Sequence, residues 1–256
     1  MADLTKSASF TPASTLGLSL RDYTSARLSL GRIGVSLATS EGLAFQLAHA
    51  QARDAVHAAL DVEGVSRRLC TEDAGLSVLS LTSAAADRAT YLRRPDLGRR
   101  LDSASAGRLG AGGYDVVFVI ADGLSATAVE RHAIPLFSEV LRGLPEGWRV
   151  APVCVVKQGR VGIGDEIGSL FGTRLSVVLI GERPGLSSPD SLGAYITWDP
   201  RLGRVDAERN CVSNVHGKGL SYEAAAARIL FYCTEARRLE LSGTRLKEME
   251  PGLLSI

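Results

Sequence analysis

The sequence predicts an α/β protein in which a helical part is followed by an open, mostly parallel sheet with helices on both faces. From Tyr114 onward, short apolar runs rich in Val and Ile alternate with segments of helical periodicity, the pattern of parallel strands buried on both faces. Residues 39–107 show mainly helical spacing instead. Loops rich in Gly, Ser, Asp or Pro follow three of the apolar runs, and in an open α/β sheet such loops are where ligands bind.

The composition allows a large aliphatic core and argues against a polyelectrolyte partner. The chain has 256 residues, of which 45% are hydrophobic and only 5% aromatic, so Ala, Leu, Val and Ile must build the core. The formal net charge is +1, which excludes the strongly basic signature of a nucleic-acid-binding protein.

Cysteine usage and the absence of a long apolar run indicate a reducing cytosol. The four cysteines, Cys70, Cys154, Cys211 and Cys233, form no C-x-x-C pair, which argues against a disulfide framework or a zinc knuckle. No apolar run approaches the roughly 20 residues of a membrane span, and the first residues lack the features of a secretory signal.

The first part of the chain is predicted to be an extension followed by a helix. Residues 1–38 have no sustained period and are interpreted as a variable N-terminal extension. A helix is predicted over about 41–60, with Thr39 or Ser40 as a capping residue. Its polar side carries His49, Arg53 and His57 one turn apart. These side chains could bind an anion or a carboxylate, but a solvated or subunit-facing surface is the favoured interpretation.

Residues 62–101 are predicted to be helical, with Pro95 ending or kinking the helix. The segment ends in an arginine cluster made of Arg88, Arg93, Arg94, Arg99 and Arg100. A single aromatic residue, Tyr91, lies within this cluster, so an exposed face or a subunit contact is favoured over single-strand binding. The small, flexible stretch that follows places a domain boundary after residue 107, which divides a helical docking part (39–107) from an α/β domain (108–256).

The α/β domain is predicted as an alternating series of strands and helices. Strands are expected at 115–121, about 150–156, 176–180 and 195–198. Helices are expected at 126–144, from the glycine-rich stretch to about residue 171, and at 222–241. The segment 209–214 is expected to belong to the loop that follows the last strand. The loops 121–125, 158–168 and 181–191 each follow an apolar strand. Because ligands bind beyond the carboxyl ends of parallel strands, these three loops are expected to form one site.

The glycine-rich stretch 158–168 predicts the kind of ligand. Its spacing, Gly162-x-Gly164-x-x-x-Gly168, is one residue too long for the dinucleotide fingerprint, and Asp165 stands where a phosphate loop requires lysine. Asp165 and Glu166 are expected to cap the amides at the start of the next helix, and they would repel a pyrophosphate. The sequence therefore predicts a large and mostly neutral ligand.

Individual polar residues in these loops leave several interpretations open. Asp122 resembles a metal-binding or nucleophilic aspartate, but helix capping is favoured because no second carboxylate completes such a site. Ser187 lacks the closing glycine of a hydrolase motif. Cys211 is interpreted as a buried or ligand-facing thiol rather than a nucleophile. Glu182 either pairs with Arg183 to cap the loop or accepts hydrogen bonds from a ligand, and the second interpretation is slightly favoured.

Several runs of residues resemble the small (light) subunit of bacterial ethanolamine ammonia-lyase, the EutC family. The runs are 45–57 (FQLAHAQARDAVH), 91–99 (YLRRPDLGR), 121–126 (ADGLSA), 164–168 (GDEIG), 179–186 (LIGERPGL), 188–192 (SPDSL) and 209–211 (RNC). The resemblance extends in matching order from about residue 30 to the end of the chain. The first thirty residues match poorly.

The resemblance implies an adenosylcobalamin (coenzyme B12) enzyme. A Rossmann-like sheet in this chain would bind cobalamin at the carboxyl ends of its strands, while a large subunit built as a TIM barrel carries the substrate pocket. The cofactor contacts of the family correspond to Val161, Glu182 and Cys211, all of which are present. Gly162 and Ile163 depart from the alanine and valine that are familiar in the family. No catalytic side chain and no metal ligand are assigned to this chain.

The implied reaction is radical conversion of ethanolamine to acetaldehyde and ammonia, with homolysis of the cobalt–carbon bond as the cofactor's contribution. None of His49, His57, His132 and His216 stands in the Asp-x-His-x-x-Gly setting of a histidine that replaces the nucleotide base. The cofactor is therefore expected to bind base-on.

The resemblance also implies a large hetero-oligomer in the bacterial cytoplasm, within an ethanolamine-utilisation microcompartment. The helical part, including Arg93 and Arg94, would then dock onto the large subunit. The sequence leaves two competing hypotheses: a dinucleotide-dependent oxidoreductase built on the same sheet, and a non-catalytic scaffold protein in which the three loops are simple turns.

Overall fold

The computed structural model describes residues 27, 28, 30, 32–73 and 75–247. Up to residue 107, the elements are β1 (Arg32–Ile33), β2 (Ser36–Leu37), α1 (Thr39–His57), α2 (Val62–Glu72), β3 (Val78–Thr82), α3 (Arg88–Arg93) and α4 (Ser103–Ala106). After it come β4 (Val116–Ala121), α5 (Ala126–Ala128), a π-helical turn (Val129–Ala133), α6 (Ile134–Arg142), β5 (Val153–Lys157), α7 (Ile163–Phe171), β6 (Leu175–Gly181), β7 (Leu192–Trp198), β8 (Arg209–Val215) and α8 (Tyr222–Leu239).

The centre of the molecule is a six-stranded sheet with the order β3-β5-β4-β6-β7-β8. Strands β3, β5, β4 and β6 run parallel to one another. Strand β7 is antiparallel to β6, and β8 is antiparallel to β7. The prediction of an open, mostly parallel α/β sheet is confirmed.

Helices cover the two faces of this sheet unequally. One face packs against α2, α6 and α8 in a large apolar core that includes Phe118, Phe137 and Ile229. The other face packs against α7 through Ile163 and Ile167. On β8, Cys211, Ser213 and Asn214 are exposed, while the other four residues are buried. Part of the antiparallel end of the sheet is therefore open to solvent.

The helical prediction for residues 62–101 is wrong at Val78–Thr82, which forms strand β3 at the edge of the sheet. This run is short and leucine-rich, and periodicity does not separate such a run from a buried helical turn. The sheet consequently draws strands from both sides of the predicted boundary after residue 107. Whether the two parts fold as separate units stays a prediction.

Other predicted elements are confirmed or corrected locally. The predicted helices over 41–60 and 222–241 correspond to α1 and α8, although α1 begins after Ala38 without a capping side chain. The segment 209–214, predicted to be a loop, is strand β8. The predicted extension 1–38 lies largely outside the described residues. No helix in the described part of the chain has the length and apolar character needed to cross a membrane.

Candidate functional site

The three loops predicted to form one site are in direct contact at the carboxyl ends of β4, β5 and β6. The Asp122 carboxylate accepts hydrogen bonds from the backbone amides of Gln158 and Gly159, each at 2.9 Å. The backbone N–H of Leu124 donates to the carbonyl oxygen of Gly181 at 2.9 Å. The loops after β4, β5 and β6 therefore meet at one edge of the sheet, as parallel strand order requires.

Asp122 holds the glycine-rich loop and does not cap a helix, so the capping interpretation is wrong. The capping residue of α5 is Ser125, whose Oγ accepts from the backbone N–H of Ala128 at 3.2 Å. Asp122 is only 1% exposed. Burial raises the pKa of its carboxyl, while the two loop amides and the Arg88 guanidinium act in the opposite direction. The carboxylate is thus committed to loop structure rather than to a ligand.

Gly181 permits the close approach of the loops after β4 and β6. A Cβ atom at this position would lie 2.1 Å from the carbonyl oxygen of Ser125 and 2.6 Å from that of Asp122. Both contacts are with backbone, so no side-chain rearrangement could relieve them. The absence of a side chain at Gly181 is therefore a condition for the shared edge.

The two carboxylates of the glycine-rich stretch are both engaged away from the helix start. Asp165 forms a two-point contact with Arg209 on β8, at 2.6 and 2.7 Å. Glu166 accepts from Arg100 at 3.0 Å and from the backbone N–H of Leu101 at 2.6 Å. The prediction that these residues cap α7 is wrong, because no side chain caps this helix. Each carboxylate has an arginine partner, so neither dominates the charge at the loop.

Glu182 lies half-buried directly after β6, and its carboxylate is held on one side. Its Oε2 accepts from the Ser191 hydroxyl at 2.5 Å and from the backbone N–H of Asn214 at 3.3 Å. Oε1 makes no hydrogen bond within the described residues and lies over Gly193, where a Cβ would come within 2.9 Å of it. No ion pair joins Glu182 to Arg183 in the described part of the chain. The carboxylate therefore retains one unused acceptor.

Cys211 lies on β8, paired across the strands with Tyr195 on β7. The residue is exposed, but neighbouring atoms partly shield the sulfur from water. This desolvation raises the pKa of the thiol, and the negative charge of Glu182 raises it further, while a hydrogen bond with Tyr195 opposes both effects. A thiol with a raised pKa is a poor nucleophile at neutral pH. The geometry supports a surface-facing thiol and excludes the buried one.

The predicted contact residues Val161, Glu182 and Cys211 share one side of the sheet. Val161 and Tyr195 both pack at the margin of the apolar cluster beneath α7. The charge of Glu182 acts on both Tyr195 and Cys211, which places these three groups together. Binding by Val161, Glu182 and Cys211 stays a prediction, and the structure places Cys211 on the face of the sheet beside Tyr195, near Glu182.

Sequence reasoning missed Tyr195, Ser191 and Asn214 as parts of this site. The alternation along β7 could have found Tyr195, since it lies two residues from Gly193 and hence on the same face. No comparable signal exists for Asn214, because its contact with Glu182 is made through its backbone N–H.

The fold and the site together define an α/β protein with a candidate ligand-binding edge formed by three loops that follow parallel strands. A family model described as ethanolamine ammonia-lyase light chain (EutC) matches residues 17–247. The chain belongs to this family, as the sequence motifs indicated.

Relatives named as ethanolamine ammonia-lyase small subunits support the assignment. The chain is 56% identical to an ethanolamine ammonia-lyase small subunit of Azotobacter vinelandii over 241 residues, covering 90% of this chain and 87% of the relative. It is 56% identical to the protein of that name in Pseudomonas aeruginosa, with 90% and 86% covered. For the corresponding protein of Ralstonia nicotianae the identity is 54%, with 90% and 87% covered.

Proposed function

We propose that this chain is the small subunit of an adenosylcobalamin-dependent ethanolamine ammonia-lyase, a lyase that converts ethanolamine to acetaldehyde and ammonia. The observation that carries the proposal is family membership over residues 17–247, together with relatives of 56% identity that are named as this subunit. A larger partner subunit would carry the substrate pocket, and this chain would hold the cofactor.

The residues at the carboxyl edge fit a corrin, whose rim is formed by neutral amide groups. Glu182 offers an unused carboxylate oxygen beside Gly193, where the absence of a side chain leaves the sheet face flat. Cys211 is exposed on the same face, and Val161 adds apolar contact. An acceptor, a neutral thiol and an apolar side chain are suitable contacts for a large, mostly neutral ligand.

In this proposal the chain binds and orients the cofactor and keeps water from it. When bound, adenosylcobalamin supplies radical chemistry through homolysis of its cobalt–carbon bond. Ser191 and Asn214 fix Glu182 in one orientation, so its free oxygen is preorganised as an acceptor. We assign no catalytic side chain and no metal ligand to this subunit.

In base-on binding no protein histidine ligates the cobalt. The proposal is supported by two histidines whose ring nitrogens already have partners within this chain. His132 contacts the Tyr222 hydroxyl at 2.8 Å and Asp190 at 3.4 Å. His216 contacts Asn214 at 2.9 Å and Ser188 at 3.3 Å. Paramagnetic resonance of the complex reconstituted with cob(II)alamin tests this point. The nitrogen splitting should be unchanged when the histidines carry ¹⁵N, and a changed splitting would show a protein histidine on the cobalt.

The proposal is tested by a visible-spectrum titration of the co-purified subunit complex with adenosylcobalamin, followed by an assay for acetaldehyde from ethanolamine. We expect saturable binding, with affinity reduced about tenfold or more by Glu182→Ala, since one buried-site hydrogen bond to a charged group is worth about 1.5–3 kcal/mol. Glu146→Ala, an exposed glutamate between α6 and β5, is the matched control and should bind as the wild type does.

Other outcomes of this titration would support the competing hypotheses. Saturable binding of NAD by the isolated chain, with no cobalamin binding by the complex, would indicate a dinucleotide-dependent oxidoreductase. An active complex that is insensitive to Glu182→Ala would indicate a scaffold whose loops are simple turns.

A further inference from the structure

The side chain of Arg88 lies where three separate segments meet behind the candidate site. Its Nε donates to the carbonyl oxygen of Val56, at the end of α1, at 2.7 Å. Its Nη1 donates to the carbonyl oxygen of Gly123 at 2.9 Å and to Oε1 of Gln158 at 3.3 Å. One guanidinium therefore joins α1 to the loop after β4 and to the glycine-rich loop after β5.

A second residue of α3 reinforces the same loop. The Arg88 guanidinium lies over the ring of Tyr91, 4.7 Å from its centroid, and the guanidinium of Arg160 lies over the same ring at 4.2 Å. The Tyr91 hydroxyl donates to the carbonyl oxygen of Gly159 at 3.0 Å. Because Arg160 and Gly159 both belong to the glycine-rich stretch, α3 contacts this loop at several points around Arg88.

Burying a charged arginine at this position would be energetically unfavourable if the side chain served only to fill space. Its side chain is 14% exposed and lies 3.6 Å from the almost fully buried carboxylate of Asp122. Its Nη2 is buried and has no hydrogen-bond partner among the described residues. Replacing a buried ionic group by an apolar one is often neutral or stabilising. The planar, several-donor geometry of arginine, by contrast, suits a bridge among three acceptors.

We propose that Arg88 is a positioning residue that ties α1 to two loops of the candidate site and keeps the backbone at residues 158–161 in place. Asp122, which accepts from the amides of Gln158 and Gly159, completes the same support. Val161 follows directly, so its position depends on this bridge. That the bound ligand is cobalamin rests on the proposed function. The effect of Arg88 on the loop does not depend on which ligand binds.

The loop effect is tested by hydrogen–deuterium exchange of the assembled complex without cobalamin. In Arg88→Ala, the amides of Gln158 and Gly159 should exchange about tenfold faster or more than in the wild type. The control is Arg68→Ala, because Arg68 also makes a hydrogen bond from Nη1 to a carbonyl oxygen, that of Glu130 at 3.0 Å. Arg68 contacts none of the three loops, so this variant should exchange as the wild type does.

The same variants are then titrated with adenosylcobalamin. Arg88→Ala should raise the Kd about tenfold or more, and Arg68→Ala should leave it within about twofold. If Arg88→Ala fails to assemble, the same measurements are made on Arg88→Lys, because an ammonium keeps the charge but cannot reproduce the guanidinium bridge. For Arg88→Lys we also expect faster amide exchange in the loop and weaker cobalamin binding.

The inference would be overturned if the Arg88 variant that assembles exchanged its Gln158 and Gly159 amides at the wild-type rate. It would also be overturned if that variant bound cobalamin with the wild-type affinity. Failure of the wild-type complex to bind cobalamin would instead refute the proposed function. In that case the exchange measurement still decides the role of Arg88 in the loop.

Discussion

Glu182 at the candidate site is held through one of its two carboxylate oxygens. Ser191 and the backbone of Asn214 occupy one oxygen of its carboxylate. The other oxygen lies over Gly193 and makes no hydrogen bond within the described residues. The side chain is thus fixed in orientation while one carboxylate oxygen is still able to accept a hydrogen bond, which is the arrangement expected of a preorganised acceptor.

Gly193→Ala should weaken cobalamin binding through Glu182 while leaving the fold intact. A Cβ at Gly193 would lie 2.9 Å from Oε1 of Glu182 and 3.2 Å from its Cγ, so the side chain must move. We expect a Kd raised about fivefold to tenfold, or roughly 1–1.4 kcal/mol. The measurement is the visible-spectrum titration of the complex.

Gly217→Ala is the matched control for this substitution, because a Cβ at Gly217 meets no atom within 4 Å. Its affinity should equal that of the wild type. Equal affinities for Gly193→Ala and the wild type would show that the orientation of Glu182 does not matter.

At the residue scale, the sequence points to candidate site residues but not to their hydrogen-bond partners. The family resemblance pointed to Val161, Glu182 and Cys211, whose role in binding stays a prediction. The capping interpretations of Asp122 and Asp165 failed because their partners are 36 to 44 residues away along the chain. Such contacts depend on strand order, which local spacing does not specify.

Among the elements, the loop between β6 and β7 is tied to the π-helical turn and to the loop after β4. Its Asp190 contacts Arg131 at 2.8 Å and His132 at 3.4 Å, both on the π-helical turn. The Ser125 hydroxyl donates to the carbonyl oxygen of Pro189 at 2.9 Å. Widened helical turns frequently occur at functional sites, and here the turn presents two side chains to the loop that carries Glu182.

The Asp190 contacts predict an acid-sensitive contribution to stability. Burial by itself would raise the pKa of the Asp190 carboxyl, but the hydrogen bonds and charges of Arg131 and His132 outweigh it and the pKa is lowered. A carboxyl with a lower pKa in the folded chain stabilises the fold above its unfolded pKa, about 3.9. That contribution is lost as the pH falls through the folded value.

Asp190→Asn should therefore unfold at lower urea concentration than the wild type at about pH 6, and the difference should shrink as the pH falls below about 4. Urea unfolding of the chain at a series of pH values measures this. Asp73→Asn, on an exposed aspartate at the end of α2, is the control. A difference that stays constant down to pH 3 would contradict the assigned role of the Asp190 charge.

Strands β3 and β8 mark the limit of prediction at the element scale. Each lies at an edge of the sheet, so neither shows the continuous apolar run of a central strand. In β8 the exposed and buried positions follow an irregular pairing with β7, and polar residues dominate the run. The central strands β4 and β6, which are buried throughout, were predicted because their burial leaves a continuous apolar signature.

The whole molecule is asymmetric in a way that suits a subunit. Apolar side chains are exposed in the β1–β2 hairpin and the first half of α1, namely Ile33, Val35, Leu37, Leu43, Phe45 and Leu47. Contiguous exposed apolar side chains commonly mark an interaction site. Leu43, Phe45 and Leu47 lie at the start of the part that we propose docks onto the large subunit, and the other three directly precede it. The polar side of α1 also carries His49, Arg53 and His57.

The exposed members of the arginine cluster provide a test of docking, whereas Arg88 is largely buried in contacts within the chain, so the prediction of an exposed position is wrong for it. Arg93 is exposed and donates to the carbonyl oxygen of Ala89 at 3.2 Å, while Arg94 pairs with Asp96 at 2.7 Å. The double change Arg93→Glu and Arg94→Glu should weaken association with the large subunit about tenfold or more, since reversed charges at an interface repel their partners. Co-purification with a tagged large subunit measures this.

The control is the double change Arg142→Glu and Arg174→Glu, which alters the net charge equally at exposed positions outside residues 39–107. Its co-purification should match the wild type. Unchanged assembly of the Arg93 and Arg94 variant would show that this cluster is not part of the docking surface.

At the scale of the whole molecule, the sequence predicts the fold class and the family. It does not predict that residues before position 107 contribute a strand to the sheet. The alternating apolar runs identify an open, mostly parallel sheet, and the loop motifs identify the family. The contribution of β3 from the helical part could not be foreseen, because pairing between β3 and β5 joins residues about 75 positions apart. Residues 1–26 lie outside the described structure, so their role stays a prediction.

Alkylation of Cys211 in the assembled complex tests the central claim most directly. Within the described residues, Cys70 and Cys211 are exposed, whereas Cys154 and Cys233 are buried, so Cys70 is an internal control. If the corrin lies over the face formed by Gly193 and Cys211, saturating adenosylcobalamin should slow labelling of Cys211 about tenfold or more and leave Cys70 unchanged. Peptide mass spectrometry reports both sites at once. Equal labelling of Cys211 with and without bound cobalamin would contradict the proposed site.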